Sequence, residues 1–473
     1  MATSVGGRPV VTGDGRSMTA AELLDRARSA AVRFRAHPSV LYLGTSHPAY
    51  AVALFGAAMA GVPFVPLNYR LGDTQLDALL ARHDGALLLR QDDLGALLEP
   101  AGAPPAEWTG PPPDPDAVAV LIYTSGTTSE PKAAVLRHRH LLAYVLNTLE
   151  FGSAAETDAA LVAVPPYHIA GLTNLLSNLY TGRRIVYLSA FDAAAWLETV
   201  RRERVTHAML VPTMLARIVA EVGDASDART PSLRSLAYGG ARMPRPVLEQ
   251  ALRVFPATGF ANAYGLTETA STIAVLGPVE HRTAAESADP AARERLSSVG
   301  RPLPGIEIEI RADGGEPVPV GKAGLVWVRG EQISGEYGNR SSLDAEGWFA
   351  TRDLGRLDDD GYLFIEGRAD DTIIRGGENI APAEIEDVLL THPGITEAAV
   401  LGMPDPEWGQ RIVAVVIGAG DPAEIRSWAR RRLRSSKTPD TIVFRDELPR
   451  TDTGKLLRRV LVADLTGTEA GAR

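Results

Sequence analysis

The sequence predicts an α/β protein. A large N-terminal domain of α/β layers ends in a β-rich subdomain, and a small α+β domain follows at the C-terminus. Three observations carry this. The chain has 473 residues, too many for one ordinary core. Apolar strand-like runs alternate with helix-like segments through its first part, the pattern of parallel strands under helices. Past about Pro302 the pattern becomes short strands with polar turns, and it changes once more after GRADD (367–371).

In order along the chain, VLYLG (40–44), AYAVALFGAAMAG (49–61) and VPFVPL (62–67) read as strand, helix and strand, as do RRIVYL (183–188), AAWLETVRRE (194–203) and VTHAMLV (205–211). The proline-rich APPAEWTGPPPDPD (103–116) interrupts this alternation and reads as a connector. GIEIEIRADGGEPV, AGLVWVRG and RLDDDGYLFIEGR supply the β-rich part, with Asp360-Gly361 marking a tight hairpin. The remainder alternates helix PAEIEDVLLTH, strands TEAAVLGMP and RIVAVVIGA, helix PAEIRSWARRRL and strand TIVFRDEL. About 100 residues with their own apolar pattern make a plausible small domain. The boundary is placed near Asp370, giving domains 1–369 and 370–473.

Composition narrows the function. Hydrophobic residues at 45% and charged residues at 22% are those of a soluble globular protein. A net charge of −10 argues against nucleic acid as a partner. The basic run RSWARRRLR (426–434) reads as a solvated helix face. There is no cysteine, which excludes disulfides, thiolate metal sites and a cysteine nucleophile. Neither a signal-peptide core nor a run of about 18 apolar residues occurs, so no membrane span and a cytoplasmic location are expected.

Only four lysines stand against 44 arginines: Lys132, Lys322, Lys437 and Lys455. Where arginine serves as the general cation, a retained lysine marks a place for a compact ammonium. Lys322, in the turn VGKAG, reads as a surface residue.

The chemistry concentrates first in TSGTTSEPKA (124–133), with five hydroxyl residues, one glycine and one lysine. Such a loop suits a polyanion, yet it lacks the second glycine and GK pair of a Walker loop. Gly454-Lys455 fails the same template, and GxGxxG, GxSxG and HExxH are absent. The loop does resemble the phosphate loop of the adenylate-forming superfamily of acyl-CoA synthetases, luciferases and nonribosomal adenylation domains, usually spelled TSGTTGxPKG. Other motifs of that superfamily follow in order, between about residues 40 and 459.

The resemblance implies roles residue by residue. Thr124, Ser125, Gly126, Thr127, Thr128 and Lys132 would cradle the ATP phosphates. In NAYGLTET (262–269), Tyr264 would flank adenine, Thr267 would touch the α-phosphate and Glu268 would hold Mg2+, while Asn262, Ala263 and Gly265 complete that wall. A carboxylate suits a hard cation. YGGAR (238–242) brings Gly239, Gly240 and Ala241 beside adenine and the acyl pocket. In GWFATRDLG (347–355) Asp353 would take both ribose hydroxyls, being acceptor-only when ionised; the superfamily spells this TGD, whereas Arg352 precedes the aspartate in this chain. In GRADDTIIRGGENIAPAEIE (367–386) Arg368 would meet ribose or phosphate, Asp370 would be the hinge and Gly376-Gly377 would line the thiol tunnel. Lys455, in LPRTDTGKLLRR (448–459), would bridge the substrate carboxylate and the α-phosphate, and Lys437 precedes a threonine and a proline in SSKTP.

The implied fold is the adenylate-forming enzyme fold with a mobile C-terminal domain, and the implied reaction is AMP-forming acid–CoA ligation with ATP, Mg2+ and CoA. A small-molecule carboxylic acid is the substrate. His168, in PPYHIAGL (165–172), would stand beside the acyl pocket. No aspartate in that motif is placed to pair with an ammonium, which disfavours an α-amino acid. The small residues Ala170, Gly240 and Ala241 leave room for a bulky apolar or aromatic acid, and Arg242 could instead pair with a second carboxylate. An acyl carrier protein as thiol acceptor, a luciferase-like oxygenase and an inactive nucleotide-binding regulator remain alternatives. The departures at Ser129, Ala133 and Arg352 speak for the last; intact Lys132, Glu268, Asp353 and Lys455 speak against it.

Overall fold

A computed structural model describes residues 6–100, 110, 112–124, 132–223, 228–375, 378–451 and 454–471. The chain forms two compact units, 1–307 with 328–349, and 308–327 with 350–473. The units are thus not contiguous in sequence. The proline-rich connector lies mostly outside the described residues.

In the first unit a nine-stranded and a seven-stranded sheet carry helices between their strands. The alternation expected from sequence is present: strand Val40–Leu43, helix Ala49–Ala60 and strand Phe64–Pro66, then strand Arg184–Tyr187, helix Ala193–Arg202 and strand His207–Leu210. Most side chains of Ala49–Ala60 are buried, so this helix is apolar on nearly every face. Helix Ala20–Phe34 packs on it. A Cβ at Gly56 would stand 2.8 Å from that of Ala30, so the close crossing depends on glycine. Tyr42, Tyr50 and Phe64 form a buried aromatic cluster in which the Tyr42 and Tyr50 rings meet edge to face at 5.1 Å.

Two topological facts place the candidate site. In the nine-stranded sheet, His207–Leu210, Ser235–Gly239 and Gly259–Leu266 run parallel as neighbours, and in such sheets ligands bind beyond the carboxyl ends of the strands. In the seven-stranded sheet, Val118–Thr124 turns back antiparallel into Lys132–Arg137, pairing Thr124 with Lys132.

Strands Glu307–Arg311, Gly324–Arg329, Phe349–Leu357 and Leu363–Arg368 form one sheet, most of whose residues fall in the second unit. The hairpin expected at Asp360-Gly361 is there, closed by bonds between Asp358 and Tyr362 and with Gly361 at φ +78°. A second sheet holds Ile395–Asp405, Gly409–Gly418 and Thr441–Phe444. Its two faces follow the period of two: Val400, Ile412, Ala414 and Val416 meet helices Pro382–Leu390 and Pro422–Arg430. Ala399, Leu401, Met403 and Val413 meet Leu461 and Leu465 of helix Arg458–Gly471. Both helices beginning PAEI start with proline at the first turn, where a missing N–H costs nothing.

Candidate active site

The first unit gathers most of the residues singled out from sequence. Gly239 lies directly opposite Ala263 on the parallel neighbour, and a Cβ on Gly239 would come within 2.2 Å of the Ala263 carbonyl oxygen. Only glycine permits that approach, and Gly240, at φ +82°, then turns the chain away. The strand end is also pinned from behind. Tyr238, fully buried, bonds through its hydroxyl to His281 Nε2 at 2.8 Å, while His281 Nδ1 lies 2.8 Å from the Gly277 carbonyl. Burial pushes the His281 pKa down, keeping the ring neutral.

Next to it, Gly259–Leu266 carries Asn262, Ala263, Tyr264 and Gly265, all half-buried, and Asn262 Nδ2 donates to the Ser298 carbonyl at 3.1 Å. The pairing with Ser271–Leu276 shifts register between Tyr264 and Gly265. A Cβ at Gly265 would overlap the Ser271 carbonyl oxygen, 1.8 Å away. The chain then makes the tight turn Thr267–Thr269 and passes through two left-handed residues, Ala270 at φ +50° and Ser271 at φ +99°. Non-glycine residues in this region store strain and need external support. Thr269 Oγ1 closes the turn on the Leu266 and Ser271 carbonyls, and Gln332 Nε2 bonds the carbonyls of Thr269 and Thr272 at 2.9 and 2.8 Å.

This turn presents Glu268, which is only 8% exposed. Tyr337 donates its hydroxyl to Glu268 Oε1, and the backbone N–H groups of Ser334 and Gly335 donate to the Glu268 carbonyl. The donor set fits Mg2+: one anchored carboxylate supplies an oxygen donor. Mg2+ is bound in that way, through one or two carboxylates plus substrate phosphates. Among the described residues no group of three or more His, Asp or Glu forms an all-protein cage.

Strand Lys132–Arg137 packs against the Thr267–Thr269 turn, so Lys132 and Glu268 belong to one region of the unit. Thr124 and exposed Lys132 stand at the two stalks of the hairpin, where Thr124 Oγ1 lies 3.4 Å from the Lys132 carbonyl. Ser125, Gly126, Thr127, Thr128 and Ser129 lie outside the described residues. Further along the same strand, Arg137 forks onto Glu336, with NH2–Oε2 at 2.8 Å and Nε–Oε1 at 3.0 Å. Those bonds hold the Glu336 carboxyl below its usual pKa. Nearby, burial with help from Arg139 pushes His140 down to about 4.

His168 caps the start of helix Ile169–Thr181 and is half-buried, its ring 4.5 Å from that of Tyr167, which in turn meets Tyr69 edge-on at 5.4 Å. Ala170 follows on the first turn. Arg242 is exposed.

The second unit holds the rest. Asp353 is buried, and Arg368 NH1 donates to its Oδ1 at 3.0 Å and to the Thr351 carbonyl at 2.9 Å. Arg352, where the superfamily motif has glycine, sits at φ +63° in the left-handed region. Its guanidinium approaches Asp370 at 3.9 Å, both groups largely exposed. Lys437 bonds Glu384 at 2.5 Å. Lys455 is exposed just after Gly454, at φ +78°, in a turn closed by Thr451 N–H to the Lys455 carbonyl at 2.7 Å. Arg458 ties this motif to the residue after Asp370, bonding Asp371 at 3.2 Å and Glu386 at 2.5 Å. Gly376 and Gly377 lie outside the described residues.

Sequence reasoning missed three residues that hold the others. Tyr337 had a weak signal, a tyrosine bracketed by glycines in SGEYG (334–338), and Arg458 stood unremarked inside a motif. His281 had none. Among the described residues no helix is long and apolar enough to cross a membrane.

Comparison with known proteins identifies the family. The chain is 38% identical over 471 residues to the feruloyl-CoA synthase of an Amycolatopsis species, covering 94% of this chain and 93% of that one. It is 34% identical to the fatty acid–[acyl-carrier-protein] ligase ScoC of Streptomyces coeruleorubidus, over 96% and 92% of the two chains. The solved structure of o-succinylbenzoate coenzyme A synthetase (MenE) from Bacillus subtilis, in complex with ATP and magnesium ion, superposes with a TM-score of 0.81 at 29% identity, over 97% of each chain. The AMP-binding enzyme family profile matches residues 2–337 and that of the AMP-binding enzyme C-terminal domain matches 384–455. The chain belongs to the AMP-binding enzyme family of adenylate-forming ligases.

Proposed function

We propose that the protein is an AMP-forming acid–CoA ligase acting on an aromatic carboxylic acid. The observation that carries the reading is the buried Glu268 carboxylate on a turn braced against the strand that begins with Lys132. An anchored carboxylate and a lysine in one region suit a metal–triphosphate, and the glycines at the neighbouring strand ends suit a flat base lying close to backbone.

In the first half-reaction the substrate carboxylate attacks the α-phosphorus of ATP. The P–O bond to pyrophosphate breaks and an acyl-adenylate remains. The protein's part is alignment and charge neutralisation. As the resemblance implies, Thr124 and Lys132 would hold the polyphosphate, Tyr264 would flank adenine, Asp353, which Arg368 bonds at 3.0 Å, would take the ribose, and Thr267 and Lys455 would meet the α-phosphate. Glu268 would hold Mg2+, which supplies screening of the triphosphate charge. In the second half the CoA thiol attacks the acyl carbonyl and AMP leaves. By the same resemblance Asp370 would be the hinge of a mobile C-terminal domain, and Lys455 would be withdrawn between the halves.

Two observations support an aromatic acid. The feruloyl-CoA synthase and o-succinylbenzoate synthetase relatives are named for aryl acids. Beside His168 stands the ring of Tyr167, which in turn meets that of Tyr69, and small Ala170 lies in the same motif. The carrier-protein ligase among the relatives keeps a protein thiol as a second reading of the acceptor.

The test is acid-dependent ATP–pyrophosphate exchange over aryl, fatty and dicarboxylic acids, followed by product mass with and without CoA. Exchange with aryl acids and a CoA thioester is expected. Exchange without thioester points to a carrier protein, and exchange only with fatty or dicarboxylic acids overturns the aromatic assignment. Lys455→Ala should abolish exchange yet spare thioester formation from supplied acyl-adenylate.

A further inference from the structure

The geometry points to Tyr337 as a positioning residue for the metal-holding carboxylate, acting through a strut formed by SGEYG (334–338). The inference rests on Glu268 as the magnesium-holding group of the proposed ligase. Every residue of the strut that faces the site is bonded on one side to the strand of Lys132 or on the other to the turn of Glu268. Ser334 donates its hydroxyl to the Val135 carbonyl, and its N–H to the Glu268 carbonyl at 2.8 Å; the Gly335 N–H adds a second bond there at 3.2 Å. Glu336 is forked by Arg137. Tyr337 pairs with Ala134 across the sheet edge, and the Gly338 N–H donates to the Ala133 carbonyl at 3.3 Å. Gly335 and Gly338, each at φ +56°, let the chain enter and leave this two-residue strand sharply.

The strut therefore sets the register of Lys132 against Glu268, and the Tyr337 hydroxyl fixes the rotamer of the side chain itself. A phenol suits this task better than a cation. It donates one hydrogen bond to Oε1 and leaves the carboxylate charge available to a metal, whereas an arginine there would compete for it. Outer-sphere donors of this kind orient metal-binding carboxylates, and losing one typically costs about tenfold or more in metal affinity. Tyr337→Phe keeps the ring and its packing and removes only the donor.

The experiment measures ATP binding to the full-length protein by titration calorimetry, without metal and across a Mg2+ series, together with electron paramagnetic resonance of Mn2+–ATP on the protein. In Tyr337→Phe the Mg2+ concentration giving half of the affinity gain should rise about tenfold. Metal-free ATP affinity and the thermal midpoint should stay at wild-type values, and the bound-Mn2+ spectrum should broaden. An unchanged Mg2+ dependence overturns the proposal; so does a parallel loss of metal-free binding, which marks a merely structural role. Glu268→Gln separates this proposal from the reading beneath it. That variant should lose the Mg2+ gain by itself, and Tyr337→Phe added to it should change nothing more. If Glu268→Gln retains the full Mg2+ gain, the assignment of Glu268 fails. If it loses the gain while Tyr337→Phe does not, only the role of Tyr337 fails.

Discussion

Removing one oxygen atom behind the strand end at Gly239 should measure how firmly that strand end is built. Tyr238 and His281 are both wholly buried and bonded at 2.8 Å. The Gly277 carbonyl can only accept, so the hydrogen of the ring sits on Nδ1, and Nε2 is an acceptor served by the Tyr238 hydroxyl. Tyr238→Phe leaves that nitrogen without a donor where water does not reach, a loss of about 1–3 kcal/mol. Protonation offers no escape, because burial already pushes the His281 pKa down. Replacing both partners by apolar groups should cost less than the two single changes together. In Tyr238→Phe with His281→Leu the Gly277 carbonyl keeps its helical partner, the His281 backbone N–H at 3.0 Å. The coupling should be about 1 kcal/mol. Urea unfolding of wild type, both single variants and the double variant at pH 7.5 gives all four corners. A Tyr238→Phe protein within about 0.3 kcal/mol of wild type, or strict additivity, would refute the buried hydrogen bond.

Two further outcomes follow from burial and backbone geometry. His140 and His207 are held to about 4 chiefly by burial, reinforced by Arg139 and Arg183 and opposed by Glu336 and Asp158. The unfolded chain takes up protons near pH 6.5 that the folded chain refuses until about 4, so stability should fall as pH drops through that window. A melting temperature flat between pH 7 and pH 4.5 would contradict this. At Arg352, φ +63° reverses the usual order of strand residues. Arg352→Gly should be more stable than Arg352→Ala by about 0.5–1 kcal/mol in urea unfolding, and the opposite order would show that the backbone there is not left-handed.

What the sequence disclosed and what it hid differ in kind. Lys132, Glu268, Asp353 and Lys455 were singled out because the motifs around them resemble those of a known superfamily, in which a polyphosphate, a cation, a diol and a carboxylate would each meet a fitting residue type. The strands and helices around them were legible because burial on one face or two imposes a period, as in the two faces of Ile395–Asp405. Gly239 and Gly265 were legible as glycines, but their reason, backbone passing within 2.2 and 1.8 Å of a would-be Cβ, is a property of the assembled sheet. The supports were hardly legible, the glycines around Tyr337 being a weak signal and His281 having none. A tyrosine that orients Glu268, a histidine that pins Tyr238 and an arginine that joins the Lys455 loop to Asp371 are ordinary residues, and only the fold brings each to its partner across 69, 43 and 87 positions of chain. The strain at Ala270 and Ser271 sharpens the point. A turn that aims a carboxylate through left-handed residues does not hold itself, so the bonds from Gln332, Ser334, Gly335 and Tyr337 are part of the site although none of these residues belongs to a motif read from the sequence. Catalytic precision in this protein accordingly depends on a segment to which the proposed mechanism assigns no substrate contact. Substitutions in 332–338 should therefore alter metal and phosphate handling before they alter which acid is accepted.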